Sequence, residues 1–398
     1  MPKKITSLFS GCGGLDMGFT GGFSFMEHNY ERLNTEIVFA NDFDVDAQVC
    51  YNSNSLLTND GAKCTLADIR TIDAYNIPNF DILLAGFPCQ PFSNAGNRKG
   101  VNDDNGRGTL FEECERIIRS KIENGHRPEA FVFENVRGIL SSKMPDGKTT
   151  VPAEIKGRME RLGYNVSMRL LCSSDYGVPQ KRYRVLIIGT DSKKGIPVFD
   201  FESLREVVQQ HEIPSTLYNN YEDLLIGRIL QDVEMQPDND VWEYSVTTQK
   251  TIELIGPCKH GKKAMKYFHR GYQIKDLPPI VFEGRSWKDI PYEKLSERFR
   301  KIADDPKRYH APKFFRRFAF GEINGTITAS AQPENCGITH PVENRRYSVR
   351  ECARIQSFPD NYLFNSIPLQ SRYKVIGNAV PPVMAWVIAK ALFNILPE

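Results

Sequence analysis

Cysteine pairs at metal-finger spacing, long apolar runs and a strong net charge are all missing from this chain of 398 residues. Its nine cysteines stand at 12, 50, 64, 89, 114, 172, 258, 336 and 352, with no C-x-x-C pair among them. That spacing argues against a zinc module and against a disulfide framework, so reduced thiols are expected. Cys258 and His260 lie two apart, but without a second cysteine pair an exposed loop is the better reading, and no metal is expected. No apolar run approaches the roughly 18 residues of a membrane span, so no membrane role is expected. The first residues pass from Lys3-Lys4 straight into a strand-like segment, without the apolar stretch and cleavage site of a secretory signal. The expected compartment is the cytoplasm. No internal repeat or low-complexity tract is visible.

The net charge of +2 hides an uneven distribution. Residues 191–257 carry 13 acidic and 5 basic side chains, whereas residues 259–317 carry 17 basic and 7 acidic ones. The basic stretch is interleaved with Tyr267, Phe268, Tyr272, Trp287, Tyr292, Phe299, Tyr309, Phe314 and Phe315. Cations mixed with aromatic rings suit a polyphosphate surface, and they suit equally a solvated helical face above core aromatics.

Strands alternate with helices through the first half, the pattern of a mainly parallel sheet. Strands are expected at 5–9, 36–40, 81–85, 130–133, 166–171 and 184–188. A helix is expected over 110–122 from the spacing of Leu110, Cys114, Ile117, Ile118 and Ile122. The regularity stops near Gly189, and the stretch to about Pro341 reads as an insertion or second domain. Helices return at 348–356 and 381–396. In open α/β sheets ligands sit outside the carboxyl ends of the strands, so the strand endings are the places to search.

Four endings are unusual. The first strand runs into Ser10-Gly11-Cys12-Gly13-Gly14, a turn that would let a nucleoside approach the backbone closely. The second ends at Asn41-Asp42-Phe43, where a carboxylate could accept ribose hydroxyls and a ring could stack on adenine. A plain strand-terminal turn reads as well there. The third ends at Gly86-Phe87-Pro88-Cys89-Gln90-Pro91, setting a thiol directly after a buried strand and before the glycine-rich stretch 94–108, which suits a mobile lid. A free thiol has a pKa of about 8.5, and a strand terminus near cations and helix N-termini would lower it. The fourth ends at Glu134-Asn135-Val136, a carboxylate leaving an apolar strand: either a proton-sharing group or a cap. Gln180, Arg182 and Arg184 alternate as they enter a later strand, which would put all three on one face.

In this order the glycine turn, Asn41-Asp42-Phe43-Asp44, Asp68-Ile69, Phe87-Pro88-Cys89-Gln90, Arg107-Gly108-Thr109-Leu110-Phe111, Glu134-Asn135-Val136 and Gln180-x-Arg182-x-Arg184 resemble the ordered blocks of the C5-cytosine DNA methyltransferase family. So do Arg350-Glu351-Cys352-Ala353-Arg354-Ile355-Gln356-Ser357-Phe358-Pro359-Asp360 and Gly377-Asn378-Ala379-Val380. The resemblance covers roughly residues 3–190 and 338–395. Two positions depart from the pattern: Cys12 stands where a small or aliphatic residue is usual, and Asp42 where a glutamate is.

The resemblance implies an α/β fold: a Rossmann-like S-adenosylmethionine-dependent methyltransferase sheet with helices on both faces, plus a smaller target-recognition domain. Residues 1–190 and 341–398 would form the catalytic domain and 191–340 the recognition domain. Cys89 would attack carbon 6 of a cytosine flipped out of double-stranded DNA, and Glu134 would bond ring nitrogen 3. Arg182 and Arg184 would hold the base and its phosphate. Phe9, Gly11, Gly14, Asp42, Phe43, Asp68, Ile69, Pro88, Leu110 and Asn378 would line S-adenosyl-L-methionine. A monomer is expected, protecting DNA from a cognate restriction endonuclease that it does not contact. The rivals are a transfer-RNA cytosine methyltransferase, a catalytically silent DNA-binding module and, weakest, a thiol hydrolase.

Overall fold

The computed structural model describes residues 1–58, 61–87, 110–268, 283–305 and 314–397. Pro88, Cys89, the 94–108 stretch, Tyr272 and Tyr309 lie outside them. By packing, the chain divides into two units. The first comprises Met1–Tyr176, Tyr183–Ile213 and Ala379–Glu398, the second Gly177–Arg182 and Pro214–Asn378.

In the first unit, β1 (Lys3–Leu8) leads into α1 (Gly14–Thr20), then a small hairpin of β2 (Phe23–Phe25) and β3 (His28–Tyr30). β4 (Thr35–Asp42) is followed by α2 (Val45–Asn52), α3 (Ser55–Thr58) and β5 (Cys64–Leu66). Next come β6 (Ile82–Ala85), α4 (Phe111–Glu123), β7 (Ala130–Val136), α5 (Val151–Arg161) and β8 (Tyr164–Cys172). The two-residue β9 (Gln180–Lys181) belongs to the second unit, and β10 (Tyr183–Asp191) returns to the first, followed by α6 (Ser203–Gln210). The seven strands lie in the order β5-β4-β1-β6-β7-β10-β8. The first five pair in parallel, and β10 runs antiparallel to both β7 and β8.

All four residues of β6 and the first six of β7 are buried, as expected of strands covered on both faces. On one face Leu83, Ala85, Phe131, Phe133, Val185 and Ile187 join Cys114, Ile117 and Ile118 of α4 and Ile155 and Met159 of α5. Their strand neighbours Leu84, Val132, Leu186 and Ile188 point the other way and are buried as well. The last helix, α13 (Pro382–Phe393), packs on α1 and α6. Phe19 meets Phe393 edge-on, and the Trp386 indole N–H donates to the Glu31 carbonyl at 3.0 Å. The apolar stretch 369–393 passes the length and composition test for a membrane span, yet 89% of its most apolar window is buried inside the protein.

The second unit holds α7 (Ile226–Ile229), α8 (Val246–Ile255), α9 (Gly261–Phe268), α10 (Glu297–Asp304), α11 (Val349–Ile355) and α12 (Leu369–Asn378). Its strands are short: β11 (Arg285–Ser286) pairs with β12 (Arg316–Arg317), and β13 (Asn324–Gly325) with β9. The unit boundaries differ from those expected at 190 and 341. Residues 191–213 stay in the first unit because Leu204, Val207 and Val208 bury one face of α6, which packs on α13. Residues 341–378 stay in the second. There the buried Arg350 donates to the Pro237, Pro359 and Tyr362 carbonyls, and the Tyr373 hydroxyl donates to the Tyr347 carbonyl.

Candidate active site

The glycine turn is built by backbone that side chains resist. Phe9 (φ 55°), Gly11 (φ 57°) and Gly13 (φ 80°) all sit in the left-handed region. For Phe9 that conformation costs ~1–2 kcal/mol, and such strain concentrates at functional sites. Ser10 pins the turn to the neighbouring strand: its amide donates to the Asn41 carbonyl at 3.0 Å, and its hydroxyl reaches Ser7 Oγ at 2.9 Å. A Cβ on Gly13 would stand 2.2 Å from Leu57 Cδ1 and 2.9 Å from Tyr51 Cδ2, so only glycine packs there. A Cβ on Gly11 would meet nothing within 4 Å among the described residues. One glycine is therefore walled in and the other faces open space.

Asp42 closes β4 beside that space. Its Oδ2 accepts from the Gly11 amide at 2.8 Å and its Oδ1 from the Asp44 amide at 2.8 Å. Burial pushes this carboxyl above its usual range, while the Asp44 and Gly11 amides pull it back. Phe43 projects from the same turn and is 65% exposed. Asn41 donates to the Thr65 and Ala67 carbonyls at 3.0 and 2.9 Å, which locks the end of β5, and so Asp68, against β4. Asp68 caps a short 3-10 turn over Ile69–Thr71 and holds the Arg70 guanidinium, which lowers its pKa. Ile69 is buried, and Leu110 is buried at the start of α4.

Glu134 lies at the end of β7 and is 8% exposed. Its Oε1 is 2.6 Å from Arg184 Nε on β10, where Arg184 pairs with Val136 in register. A Cβ on Gly86, after β6, would stand 3.8 Å from Glu134 Oε2 and 3.9 Å from the Phe9 carbonyl. The ends of β1, β6 and β7 thus converge within a few ångströms. Asn135 donates to the Phe87 carbonyl at 3.3 Å, holding the backbone that leads toward Cys89.

Several expectations need correction. Gln180, Arg182 and Arg184 do not share a strand face, because the chain passes between units after Arg182. Arg182 is 1% exposed and donates to the Ile327 and Gly377 carbonyls at 2.9 and 3.0 Å. Gln180 is fully buried and accepts from the Ile327 amide. Asn378 is exposed at the end of α12 in the second unit. Within the basic stretch, Trp287, Phe299, Phe314 and Phe315 form a small core with Ile252 and Ile255. Tyr292 is exposed beneath the Arg300 guanidinium. Cys258 is buried against Phe318 and Phe320, not on an exposed loop, and burial pushes its thiol up to about 11. Among the described residues no group of three or more potential ligands is placed to hold a metal.

Sequence reasoning missed Asp16 and Tyr51, which lie beneath the glycine turn and are joined by a 2.8 Å hydrogen bond. The available signal was an acidic residue in the otherwise apolar run Leu15-Asp16-Met17-Gly18-Phe19.

A family model described as C-5 cytosine-specific DNA methylase matches residues 3–394. The Type II methyltransferase M.FnuDI of Fusobacterium nucleatum is 30% identical, over 99% of this chain and 95% of its own. M.NgoFVII of Neisseria gonorrhoeae, also a Type II methyltransferase, is 31% identical over 99% of this chain and 87% of its own. Among solved structures, an E. coli prophage protein described as a DNA modification methyltransferase aligns over 100% of both chains with a TM-score of 0.59 and 19% identity. That last likeness speaks for the fold alone. With strand ends that gather a glycine turn, two carboxylates and an arginine, and with a match across nearly its whole length, this chain belongs to the C-5 cytosine-specific DNA methylase family.

Proposed function

We propose that this DNA cytosine-5-methyltransferase works through Cys89 with S-adenosylmethionine as methyl donor, on a cytosine turned out of a specific duplex sequence. The observation that carries the reading is the convergence of Gly11, Gly86, Phe9 and the Glu134–Arg184 pair at the carboxyl ends of adjacent strands. The residues fit the cofactor: Gly11 faces open space, Asp42 stands beside it, and Phe43 exposes a ring. The Gly11 and Asp44 amides fix the Asp42 carboxylate beside that space, where it would accept a ribose hydroxyl. Phe43 would stack on the adenine, with Asp68 and Ile69 at its edge and Leu110 on its far side, while Phe9, Gly14 and Pro88 would line the cofactor. When bound, the cofactor supplies an electrophilic methyl group.

Cytosine carbon 5 is a weak nucleophile until a group adds at carbon 6. The Cys89 thiolate would form that bond, while Glu134, as the carboxylic acid, would donate its proton to ring nitrogen 3 and accept from the exocyclic amine, so that the ring accommodates the electron pair. Arg184, paired with Glu134 at 2.6 Å, orients the carboxylate and presents its remaining N–H groups to the base. After methyl transfer, the proton on carbon 5 passes to solvent water, its electron pair expels Cys89 as thiolate, and ring nitrogen 3 returns its proton to Glu134, which restores the ring. A base inside a duplex is out of reach of a thiol, which requires that it be flipped out. Arg182, buried among backbone carbonyls, is assigned the task of fixing the crossover before β10 rather than touching the base. The part of the second unit up to about residue 340 is assigned target recognition. The enzyme is proposed to act as a monomer and to protect DNA from a restriction endonuclease.

Bisulfite sequencing of DNA from cells expressing the chain tests this reading. Wild type should leave one short sequence methylated at cytosine, and Cys89→Ser should leave none while still binding DNA. A Cys89→Ser chain with near wild-type turnover would remove the covalent mechanism.

A further inference from the structure

We propose that Asp16 is a positioning residue for the cofactor: its buried carboxylate holds Tyr51 and Ser7 so that the glycine turn keeps its binding shape. The proposal rests on the reading that this turn binds S-adenosylmethionine.

Asp16 lies in the first turn of α1 and is fully buried. One carboxylate oxygen accepts from Ser7 Oγ at 2.6 Å, and the other accepts from the Tyr51 hydroxyl at 2.8 Å. Those two donors control the turn from both sides. Ser7 is on β1, two residues before Phe9, and its hydroxyl is also within 2.9 Å of Ser10 Oγ, which pins the turn to Asn41. Tyr51 is on α2, and its ring, with Leu57, forms the wall against which Gly13 packs. The carboxylate therefore joins β1, α1 and α2, the elements that lead to Phe9, Gly11 and Asp42.

Burial raises the Asp16 carboxyl to about 6, with the Ser7 and Tyr51 hydrogen bonds drawing it partway back. No lysine or arginine among the described residues offsets it. The titratable groups around it are Tyr51 and Cys50 from α2, Cys12 from the turn, Cys64 from β5 and Asp42 from β4. α3 contributes Leu57 at Gly13, and α13 contributes Ala385 and Trp386 at Gly18. A residue kept charged in so apolar a place, when a neutral one would fold more easily, is there for what the charge holds in position.

The test measures S-adenosylmethionine affinity of the full chain by calorimetric titration across about pH 5 to 8. Asp16→Asn keeps the shape but cannot accept both hydroxyls as a carboxylate does. Its affinity should be about tenfold weaker than wild type at neutral pH, the worth of one charge-assisted hydrogen bond. Because protonated Asp16 resembles asparagine, the ratio of the two affinities should fall toward one as the pH drops through about 6. Taking a ratio cancels any titration of Asp42, which both chains share. Tyr51→Phe keeps the ring under Gly13 but removes a donor to the carboxylate, so its own pH midpoint should lie above that of wild type. Affinity for duplex DNA should stay within about twofold in both variants, and the melting temperature of Asp16→Asn should not fall.

A ratio that does not vary with pH, or stays within twofold throughout, overturns the proposal. Should Asp16→Asn fail to fold, the Tyr51→Phe midpoint decides, and an unmoved midpoint overturns it equally. A wild-type chain that binds no S-adenosylmethionine removes the cofactor reading itself, and this inference with it.

Discussion

Replacing Gly11 or Gly13 by alanine separates the packing of the glycine turn from its binding role. Both residues have positive φ, so alanine costs ~1 kcal/mol at either position for the left-handed backbone alone. At Gly11 no further packing cost is expected, because the methyl would meet no described residue within 4 Å. At Gly13 the methyl would stand 2.2 Å from Leu57 Cδ1 and 2.9 Å from the Tyr51 ring, adding the ~1–3 kcal/mol typical of an overpacked core. With ~2–4 °C per kcal/mol for a unit of this size, Gly11→Ala should lower the melting temperature by ~3 °C and Gly13→Ala by ~6–12 °C. The ligand response should run in the opposite order. Saturating S-adenosylmethionine should stabilise Gly13→Ala more than Gly11→Ala, whose methyl stands in the proposed cofactor space. Adding Leu57→Ala should restore part of the stability of Gly13→Ala and none of that of Gly11→Ala, a coupling expected only between touching side chains. Differential scanning fluorimetry with and without ligand measures all of this. If Gly13→Ala melts at or above Gly11→Ala, the description of the turn is wrong.

Other outcomes can be checked alongside. Arg317 is buried and donates to the His340 and Glu343 carbonyls and to Asn344, so Arg317→Met should cost ~3 kcal/mol or more of second-unit stability in urea titrations. The adjacent Arg316, half-exposed against Glu322, should cost under ~1 kcal/mol as Arg316→Ala, and any effect on DNA affinity should weaken with salt. Glu134→Ala should reduce single-turnover methyl transfer by ~100-fold or more while cofactor affinity, measured by titration, stays unchanged. Asp16 has a pKa raised from 3.8 to about 6, so the folded chain holds more protons than the unfolded one between those values. Its contribution to stability is therefore lost as pH rises through that window, by ~3 kcal/mol in all. Relative to wild type, Asp16→Asn should gain stability from about pH 4 to 6, and a constant difference by denaturant titration would refute this.

The sheet was legible where strands are apolar and uninterrupted. Residues 81–85 and 130–133 read as strands because Ile82, Leu83 and Leu84, and then Phe131, Val132 and Phe133, leave no other place for so much apolar surface. β5 was missed because Cys64-Thr65-Leu66 is too short to show a period, and Leu66 is 47% exposed. That β10 runs antiparallel was invisible, since local pattern carries no strand direction. Positions in the site followed from motif residues at strand ends. What failed was alternation: Gln180, Arg182 and Arg184 were read as one face because period 2 assumes an unbroken strand, and the crossing between units breaks it. That Arg317, in the basic stretch 259–317, is buried was not legible, because charge in sequence does not reveal a cage of oxygens assembled from His340, Glu343, Asn344 and Ile252, 23 to 65 positions away.

The packing of α13 on α1 has a consequence for how the protein is made. Phe19 and Phe393 touch, yet a ribosome adding ~5–20 residues per second emits the second one roughly 20–75 s after the first. Throughout that time Gly18, Tyr30 and the Glu31 carbonyl lack Ala385, Trp386 and the indole N–H that later cover them. The nascent sheet thus waits, with an apolar flank bare, while the whole second unit is synthesised. The unit made first is the one finished last, and chaperones that shield apolar surface have their longest opportunity on α1.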